Sequence, residues 1–187
     1  MKIPSQLKHI TDVMQDFKKP WFFCGGWAID LFLAQITREH TDIDIGIFRE
    51  DQQALRKYLH DWRLLKIINS EMSEWNEDEF LQPPVHEIKA VKDDATIEIL
   101  LNNSNETHWL YRRDDSISYP KEQLIQYRDT IPYWPPEISL LYKTKETRPK
   151  DDQDFENVIG HLLSESKQWL KNAIKKAQPE HRWVSRL

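Results

Sequence analysis

The sequence predicts an α/β (α+β) fold in which a small mixed sheet is flanked by helices and followed by a C-terminal helical lobe. Three observations lead to this prediction. Helical and strand-like patterns alternate through the first part of the chain, helical patterns separated by prolines fill the last part, and 39% of the residues are hydrophobic, enough to build a core. We place the α/β domain at residues 1–115 and the helical lobe at residues 116–187. A chain of 187 residues is too short for two full-sized independent domains.

The chain begins with a predicted helix, strand and second helix. Apolar residues spaced by three and four predict an amphipathic helix over residues 7–17, which Pro20 ends. The aromatic run at residues 21–24 predicts a short buried strand, and it leads through Gly25 and Gly26 into a buried helix over residues 27–36.

The next segment alternates acids with isoleucines. Residues 42–48 therefore predict a strand whose isoleucines face the core, with Asp42 and Asp44 together on the opposite face. The remaining elements of this half are a helix at 50–62, a strand at 64–68, an acidic loop at 71–79, a hairpin of strands at 85–91 and 96–101, and an edge strand at 109–111. The predicted helices of the lobe lie at 121–127, 136–145, 151–163 and 166–177.

The composition of the chain argues against several classes of protein. Cys24 is the single cysteine, so an intramolecular disulfide framework is excluded and a reducing compartment is favoured. No stretch approaches the roughly 18 apolar residues of a membrane span, and the first residues lack the character of a signal peptide. We therefore expect a cytoplasmic protein with no membrane partner. The net charge of −5 argues against long nucleic acid as the main partner.

The two aspartates are the first candidate site. Alternate residues of a strand project from one face with Cα atoms about 6.5 to 7 Å apart, so both carboxylates can reach the same divalent cations. Like charges at this spacing repel each other, and a bound cation would relieve the repulsion. The alternative is an exposed strand face on which Asp42 and Asp44 are simply solvated.

The second candidate is the turn that joins the first strand to the second helix. Backbone N–H groups at a helix start can bind an anion, and glycine allows a phosphate to approach closely. The alternative is a tight turn at Gly25 and Gly26 with no ligand. The phosphate-binding patterns GxxxxGK[ST] and GxGxxG are absent from the chain, which excludes P-loop and Rossmann sites.

The combined string GGWAID at residues 25–30 and TREHTDID at residues 37–44 resembles the polymerase-β-type nucleotidyltransferase superfamily. It is most similar to the small drug-modifying branch of aminoglycoside and lincosamide nucleotidyltransferases, which shares the tryptophan after the glycines. The likeness is dense over residues 25–48 and looser elsewhere, although PEISLLYK at residues 136–143 also resembles this branch. The resemblance implies the nucleotidyltransferase fold.

The resemblance also implies a reaction. Two Mg²⁺ ions are held by Asp42, Asp44 and a third carboxylate, and a nucleoside triphosphate lies with its phosphates against Gly25 and Gly26. A hydroxyl of a small acceptor, aminoglycoside-like or lincosamide-like, attacks the α-phosphorus and pyrophosphate leaves. The expected nucleotide is ATP, so that AMP is transferred.

Three more residues complete the candidate site. Glu98 is our choice for the third carboxylate, as metal ligand and general base, because it lies in an alternating strand, and Glu87 in the neighbouring strand is the fallback. Lys143 is the best candidate for binding the triphosphate. Arg38 could touch phosphate as well, or could instead form a salt bridge to a nearby acid, Glu39 or Asp42.

Two other functions remain open at this point. A protein of this fold could bind nucleotide without turnover, or act as an antitoxin-like partner, and the position of Glu98 relative to the aspartates separates these from an enzyme. A protein-modifying adenylyltransferase is a further alternative. The sequence does not select the acceptor, the nucleotide or the oligomeric state.

Overall fold

The computed structural model describes residues 3–187 and has a mixed eight-stranded sheet with helices packed against it. The strand order is β4-β3-β5-β6-β2-β1-β10-β9, and β7 and β8 form a separate two-stranded sheet. The strands are β1 (Trp21–Phe23), β2 (Asp44–Phe48), β3 (Arg63–Ile68), β4 (Glu71–Glu74), β5 (Glu87–Lys92), β6 (Ala95–Asn102), β7 (His108–Leu110), β8 (Ser118–Pro120), β9 (Gln126–Arg128) and β10 (Ile131–Tyr133). The helices are α1 (Ser5–Met14), α2 (Gly25–Leu33), α3 (Gln52–Tyr58), α4 (Lys121–Leu124), α5 (Pro136–Lys143), α6 (Pro149–Ile159) and α7 (Ser164–Ala177), with 3₁₀ turns at Arg49–Asp51 and Arg182–Ser185.

The central strands of the sheet form both parallel and antiparallel pairs. β2 runs antiparallel to β1 and parallel to β6, whereas β5 runs antiparallel to β6. The predicted α+β fold with a small mixed sheet is therefore confirmed. The parallel register places Asp44 of β2 directly beside Glu98 of β6, which brings two of the candidate site residues to neighbouring strands.

The core explains why these segments fold as they do. Ile45 and Ile47 of β2 and Ile97 and Ile99 of β6 are fully buried. Their alternation with polar residues matches the period of two that a strand requires. The polar residues of the same strands, including Asp44 and Glu98, are left at the opposite face, where the candidate site is built.

Several segments differ from the sequence predictions. The strand expected at residues 42–48 begins at Asp44, so Asp42 lies in the segment before it. Residues 71–74 of the expected acidic loop form the edge strand β4, which follows a tight turn at Asn69 and Ser70, both with positive φ. Such a turn joins antiparallel strands with the twist that a hairpin needs.

Two further predictions were wrong. The strand at residues 108–110 pairs with β8 and is not an edge of the main sheet. The helix expected at 121–127 ends at Leu124, because residues 126–128 form a hairpin with β10 around Asp129, whose φ is 55°. Ladder pairing between these residues outweighs the local helical pattern.

The part of the chain after residue 115 contributes to the main sheet as well as to the helical lobe. β10 runs parallel to β1, and α5 packs against α2. The division into domains at residue 115 stays a prediction. Within residues 3–187, no helix has both the length and the apolar character needed to cross a membrane.

Candidate active site

The turn between β1 and α2 is built directly against Asp44. Gly25 has a φ of +60°, a conformation that side chains disfavour, and a Cβ at this position would lie 2.6 Å from Asp44 Oδ2. The Cys24 N–H donates to the Asp44 carbonyl at 2.9 Å, and Ser139 Oγ of α5 donates to the Gly25 carbonyl at 2.9 Å. These two hydrogen bonds therefore connect the glycine turn to β2 and to α5.

Asp44 lies among other carboxylates. Burial raises the pKa of Asp44 to about 6, with further contributions from Glu98, Asp42 and Glu87, while Lys143 acts in the opposite direction. Burial, followed by Glu98, also raises the pKa of Glu87. The structure thus brings the predicted acids Asp42, Asp44 and Glu98 within electrostatic reach of one another, with Glu87 nearby.

Asp42 reaches this group from outside the strand. Its side chain is exposed and accepts a hydrogen bond from Thr41 Oγ1 at 2.7 Å, and its carbonyl accepts one from Trp27 Nε1 at 3.1 Å. Asp42 thus lies just before the predicted strand's observed start, and after burial and Glu98 it contributes to the raised pKa of Asp44. The Trp27 indole positions the segment that carries Asp42.

The two candidates for the third carboxylate occupy different positions. Glu98 is in register with Asp44 and is the acid with the largest influence on it, and Lys89 Nζ lies 3.7 Å from Glu98 Oε1. Glu87 is opposite Leu100 on the far side of β6 and lines the cavity described below. The geometry thus agrees with the choice of Glu98, and its role stays a prediction.

Lys143 is held at the site by two buried acids of α6. Its Nζ lies 2.8 Å from Asp151 Oδ1 and 3.0 Å from Asp154 Oδ2. Burial works against ionisation of Asp151, but hydrogen bonds from Arg148 and Lys143 hold the pKa of this carboxyl well below its usual range. Lys143 is thus a fixed cation beside the carboxylates.

Arg38 also belongs to this ionic network. Its Nε and Nη2 donate to the two oxygens of Asp154, both at 3.0 Å, and its Nη1 donates to the Glu39 carbonyl. The salt bridge that the sequence suggested therefore forms with Asp154, an acid of α6, rather than with Glu39 or Asp42. Phosphate binding by Arg38 stays a prediction.

A buried pair that the sequence analysis did not single out supports the segment before β2. Asp30 of α2 is fully buried, and its carboxylate contacts His40 Nε2 at 2.6 Å and accepts a hydrogen bond from Thr37 Oγ1 at 2.6 Å. The Trp27 ring lies 4.3 Å from the His40 ring. A Cβ on Gly26 would collide with His40 and Arg38. The sequence pointed to Arg38 and His40 as cations that could offset the acids or touch phosphate, but it gave Asp30 and Thr37 no role.

Asp44, Glu87 and Lys143 open onto a cavity of about 380 Å³, which Asp42 and Glu98 do not line. Its lining includes Gly25, Asp44, Glu87 and Lys143. One wall is aromatic, since the rings of Trp134 and Tyr142 stack with centres 5.6 Å apart. Arg112 and Arg113, which sequence reasoning left without a role, lie along the same cavity.

The carboxylates of Asp42, Asp44 and Glu98 are chemically suited to binding magnesium. Carboxylate oxygens are the protein ligands that Mg²⁺ prefers. The pKa of Asp44 is raised by burial and then by the neighbouring acids, and a cation between these carboxylates would relieve their mutual repulsion. As the side chains stand, no three His, Cys, Asp or Glu side chains of residues 3–187 are gathered closely enough to hold a metal ion. Asp42, Asp44 and Glu98 would have to move together around it.

Comparison with known proteins identifies a family. The sequence profile of aminoglycoside-2''-adenylyltransferases matches residues 6–158. Among curated protein sequences, none matches significantly.

Three solved structures share the fold. A lincomycin-bound crystal structure of the lincosamide antibiotic adenylyltransferase LnuA superposes with a TM-score of 0.60 at 18% identity, covering 86% of this chain and 98% of that one. The solution structure of the antibiotic-resistance factor ANT(2'')-Ia gives 0.61 at 17% identity, with 92% and 91% covered. The crystal structure of ANT(2'')-Ia in complex with adenylyl-2''-tobramycin gives 0.62 at 14% identity, with 93% and 99% covered. At these identities the likeness concerns the fold.

Proposed function

We propose that this chain, which belongs to the aminoglycoside-2''-adenylyltransferase family, transfers AMP from ATP to a hydroxyl group of a small molecule and uses two Mg²⁺ ions. One observation carries the proposal: the Asp44 carboxylate lies against the glycine turn, in register with Glu98, at the wall of a cavity. This arrangement places candidate metal ligands beside a candidate phosphate site. Because the chain belongs to this family, it is an adenylyltransferase.

In the proposed site, Asp42, Asp44 and Glu98 hold the metal ions. When bound, Mg²⁺ neutralises phosphate charge and polarises the reacting oxygens. The N–H groups at the start of α2, after Gly25, face the triphosphate, and the side chain of Lys143 supplies a positive charge beside it. Lys143 is already oriented by Asp151 and Asp154, so little reorganisation is needed when the nucleotide binds.

The transfer itself is a single displacement. The acceptor oxygen forms a bond to the α-phosphorus, the bond from that phosphorus to the pyrophosphate oxygen breaks, and the hydroxyl proton passes to a carboxylate oxygen of Glu98. Glu98 lies beside Asp44 in the sheet, where the acceptor oxygen and the α-phosphorus have to meet. Glu87 is the alternative proton acceptor because it lines the cavity, whereas Glu98 does not.

The relatives suggest which acceptors to try first. ANT(2'')-Ia was solved with adenylyl-2''-tobramycin and LnuA with lincomycin. Aminoglycoside-like and lincosamide-like compounds with free hydroxyls are therefore the first panel for this chain.

The test is transfer of label from [α-³²P]ATP to this panel with Mg²⁺, compared among the wild type, Asp44→Asn and a matched control, Asp93→Asn. Asp93 lies in the β5–β6 turn with a positive φ that asparagine tolerates. We expect Asp44→Asn to abolish transfer and Asp93→Asn to retain it. A wild-type protein that binds no nucleotide refutes the proposal, whereas nucleotide binding without transfer to any acceptor supports the non-catalytic alternative.

A further inference from the structure

Three of the five lysine and arginine side chains that line the cavity of about 380 Å³ are paired with acids. Lys143 Nζ lies 2.8 Å from Asp151 Oδ1, and Arg148 Nε lies 2.9 Å from the other oxygen of this carboxylate. Lys145 Nζ lies 3.9 Å from Glu146 Oε1. Direct pairing therefore offsets the positive charge of all three.

Arg112 and Arg113 are the other two basic side chains of this lining. Within residues 3–187, no carboxylate lies within ion-pair distance of either guanidinium group. Asp44 and Glu87, which line the same cavity, likewise have no ion-pair partner in the described part of the chain. The cavity thus combines unpaired acids with unpaired guanidinium groups. A metal-bound polyphosphate matches both, since the metal faces the acids and the phosphate oxygens accept from the guanidinium groups.

Both arginines are held beside Lys143. Their guanidinium carbons lie 5.5 Å and 5.3 Å from the centre of the ring of Tyr142, the residue that precedes Lys143 in α5. Arg113 Nη1 also donates to the Tyr142 carbonyl at 3.2 Å and to Tyr111 Oη at 2.9 Å. A guanidinium group held in this way loses little conformational freedom when it binds an anion.

We propose that Arg112 and Arg113 bind the β- and γ-phosphates of the nucleotide and stabilise pyrophosphate as it leaves. This inference rests on the proposed function and adds two residues to its nucleotide site. Gly25 and Lys143 line the same cavity, so one triphosphate can contact them and the arginines together.

The role follows from where charge develops in the reaction. When the bond between the α-phosphorus and the bridging oxygen breaks, its electron pair stays on pyrophosphate, whose negative charge increases. The two guanidinium groups remain protonated and donate hydrogen bonds to the pyrophosphate oxygens, for which their planar forks are suited. Donors fixed in advance at this position lower the barrier to the departure of pyrophosphate.

The proposal is tested by titration calorimetry with three probes in the presence of Mg²⁺: a non-hydrolysable ATP analogue, AMP and inorganic pyrophosphate. Arg112→Gln and Arg113→Gln should each weaken binding of the analogue and of pyrophosphate about tenfold or more, as expected for a lost hydrogen bond between charged groups. Neither should change the affinity for AMP, which lacks the β- and γ-phosphates. Arg112→Lys keeps the charge without the planar fork and should recover part of the loss. Arg63→Gln, at an exposed arginine of β3 that pairs with Glu74, is the matched control and should change none of the three affinities.

The outcomes separate this inference from the proposed function. Pyrophosphate binding that the Arg112→Gln, Arg113→Gln double variant retains overturns the inference, and so does an equal loss of affinity for AMP. If the double variant loses pyrophosphate binding but the wild type transfers AMP to no acceptor, the proposed function fails and the pyrophosphate site stands. If transfer occurs and the double variant still binds pyrophosphate, the inference fails alone.

Steady-state kinetics distinguish contact with the nucleotide from contact with the acceptor. Arg112→Gln should lower kcat/KM for ATP about tenfold or more and leave the KM for the acceptor unchanged. Product inhibition by pyrophosphate should weaken to a similar extent. A variant that raises only the KM for the acceptor would place the arginine at the acceptor and overturn the proposal.

Discussion

Arg38 and Asp154 form a two-point ion pair between the segment before β2 and helix α6. The two donors of Arg38 are each 3.0 Å from a different oxygen of Asp154, whose side chain is fully buried. Asp154 also accepts Lys143 Nζ at 3.0 Å. One carboxylate thus contacts two cations, one from the segment before β2 and one from α5, and Lys143 is also paired with Asp151.

Removing that carboxylate charge should be costly. Asp154→Asn leaves Arg38 and Lys143 without their shared partner, and breaking a buried pair by removing one member destabilises a protein by about 3–5 kcal/mol. We expect a loss of this order in urea unfolding. Glu156→Gln on the same helix is the control, since Glu156 pairs with Arg186 at the exposed surface and its loss should change little. Equal effects of the two substitutions would show that the buried pair contributes no more than the surface one.

Gly25→Ala should affect both stability and catalysis. Its φ of +60° makes a side chain strained by about 1–2 kcal/mol, and the new methyl group would collide with Asp44 Oδ2. We expect the variant to fold with reduced stability and to lose adenylyl transfer, as measured by urea unfolding and by the labelled-ATP assay.

Gly160→Ala is the matched control for this substitution. Gly160 ends α6 with a φ of −70°, and a Cβ there would meet nothing within 4 Å. The stability and activity of the Gly160→Ala variant should therefore stay close to those of the wild type. If both alanine variants keep full activity, the close approach of Gly25 and Asp44 is not required for the reaction.

The sequence predicted the strands whose position follows from a local alternation of polar and apolar residues. The alternation of acid and isoleucine located β2, and alternation in β6 placed Glu98 on the face that Asp44 shares. The contacts between Arg38 and Asp154 and between Arg113 and Tyr142 were not predictable in this way, because each joins residues far apart in sequence. The edge strand β4 was missed for a related reason, since only its ladder to β3 distinguishes it from a loop.

The pKa of Asp44 predicts how the metal-free protein responds to pH. Because its folded-state pKa is raised from 3.8 to about 6, the native state binds the proton more tightly than the unfolded state. The contribution of Asp44 to the free energy of unfolding should therefore fall as pH rises from 4 to 6, by at most about 3 kcal/mol. Asp44→Asn should remove this dependence and make the metal-free protein more stable at pH 8.

Urea unfolding at pH 4 and pH 8 with a chelator present measures this effect. Added Mg²⁺ should stabilise the wild type at pH 8 and should stabilise Asp44→Asn much less, because binding to the native state raises the free energy of unfolding. A wild-type protein and an Asp44→Asn variant whose stabilities change equally between pH 4 and pH 8 in chelator would rule out the raised pKa of Asp44.

The buried Glu137 of α5 depends on two hydroxyl donors. Glu137 is 1% exposed and accepts hydrogen bonds from Tyr119 Oη at 2.9 Å and Ser166 Oγ at 2.7 Å. Tyr119→Phe removes a hydrogen bond to a charged group, so we expect a loss of about 1.5–3 kcal/mol in thermal or urea unfolding. Tyr127→Phe, at a tyrosine that is 63% exposed, should leave stability unchanged. Similar small effects of the two would mean that Tyr119 contributes only its ring.

The pKa of His86 reports on the positive charge of the nearby Arg112. Burial, then Arg112 and Arg49, lowers the pKa of His86 to about 4, so this imidazole is neutral at pH 7. Arg112→Gln should raise the pKa of His86, as followed by NMR of the ring protons. His181 provides the matched case, since burial and then Arg182 lower its pKa, and Arg182→Gln should raise the pKa of His181 alone. A His86 titration that Arg112→Gln leaves unchanged would contradict the effect of the Arg112 charge on the pKa of His86.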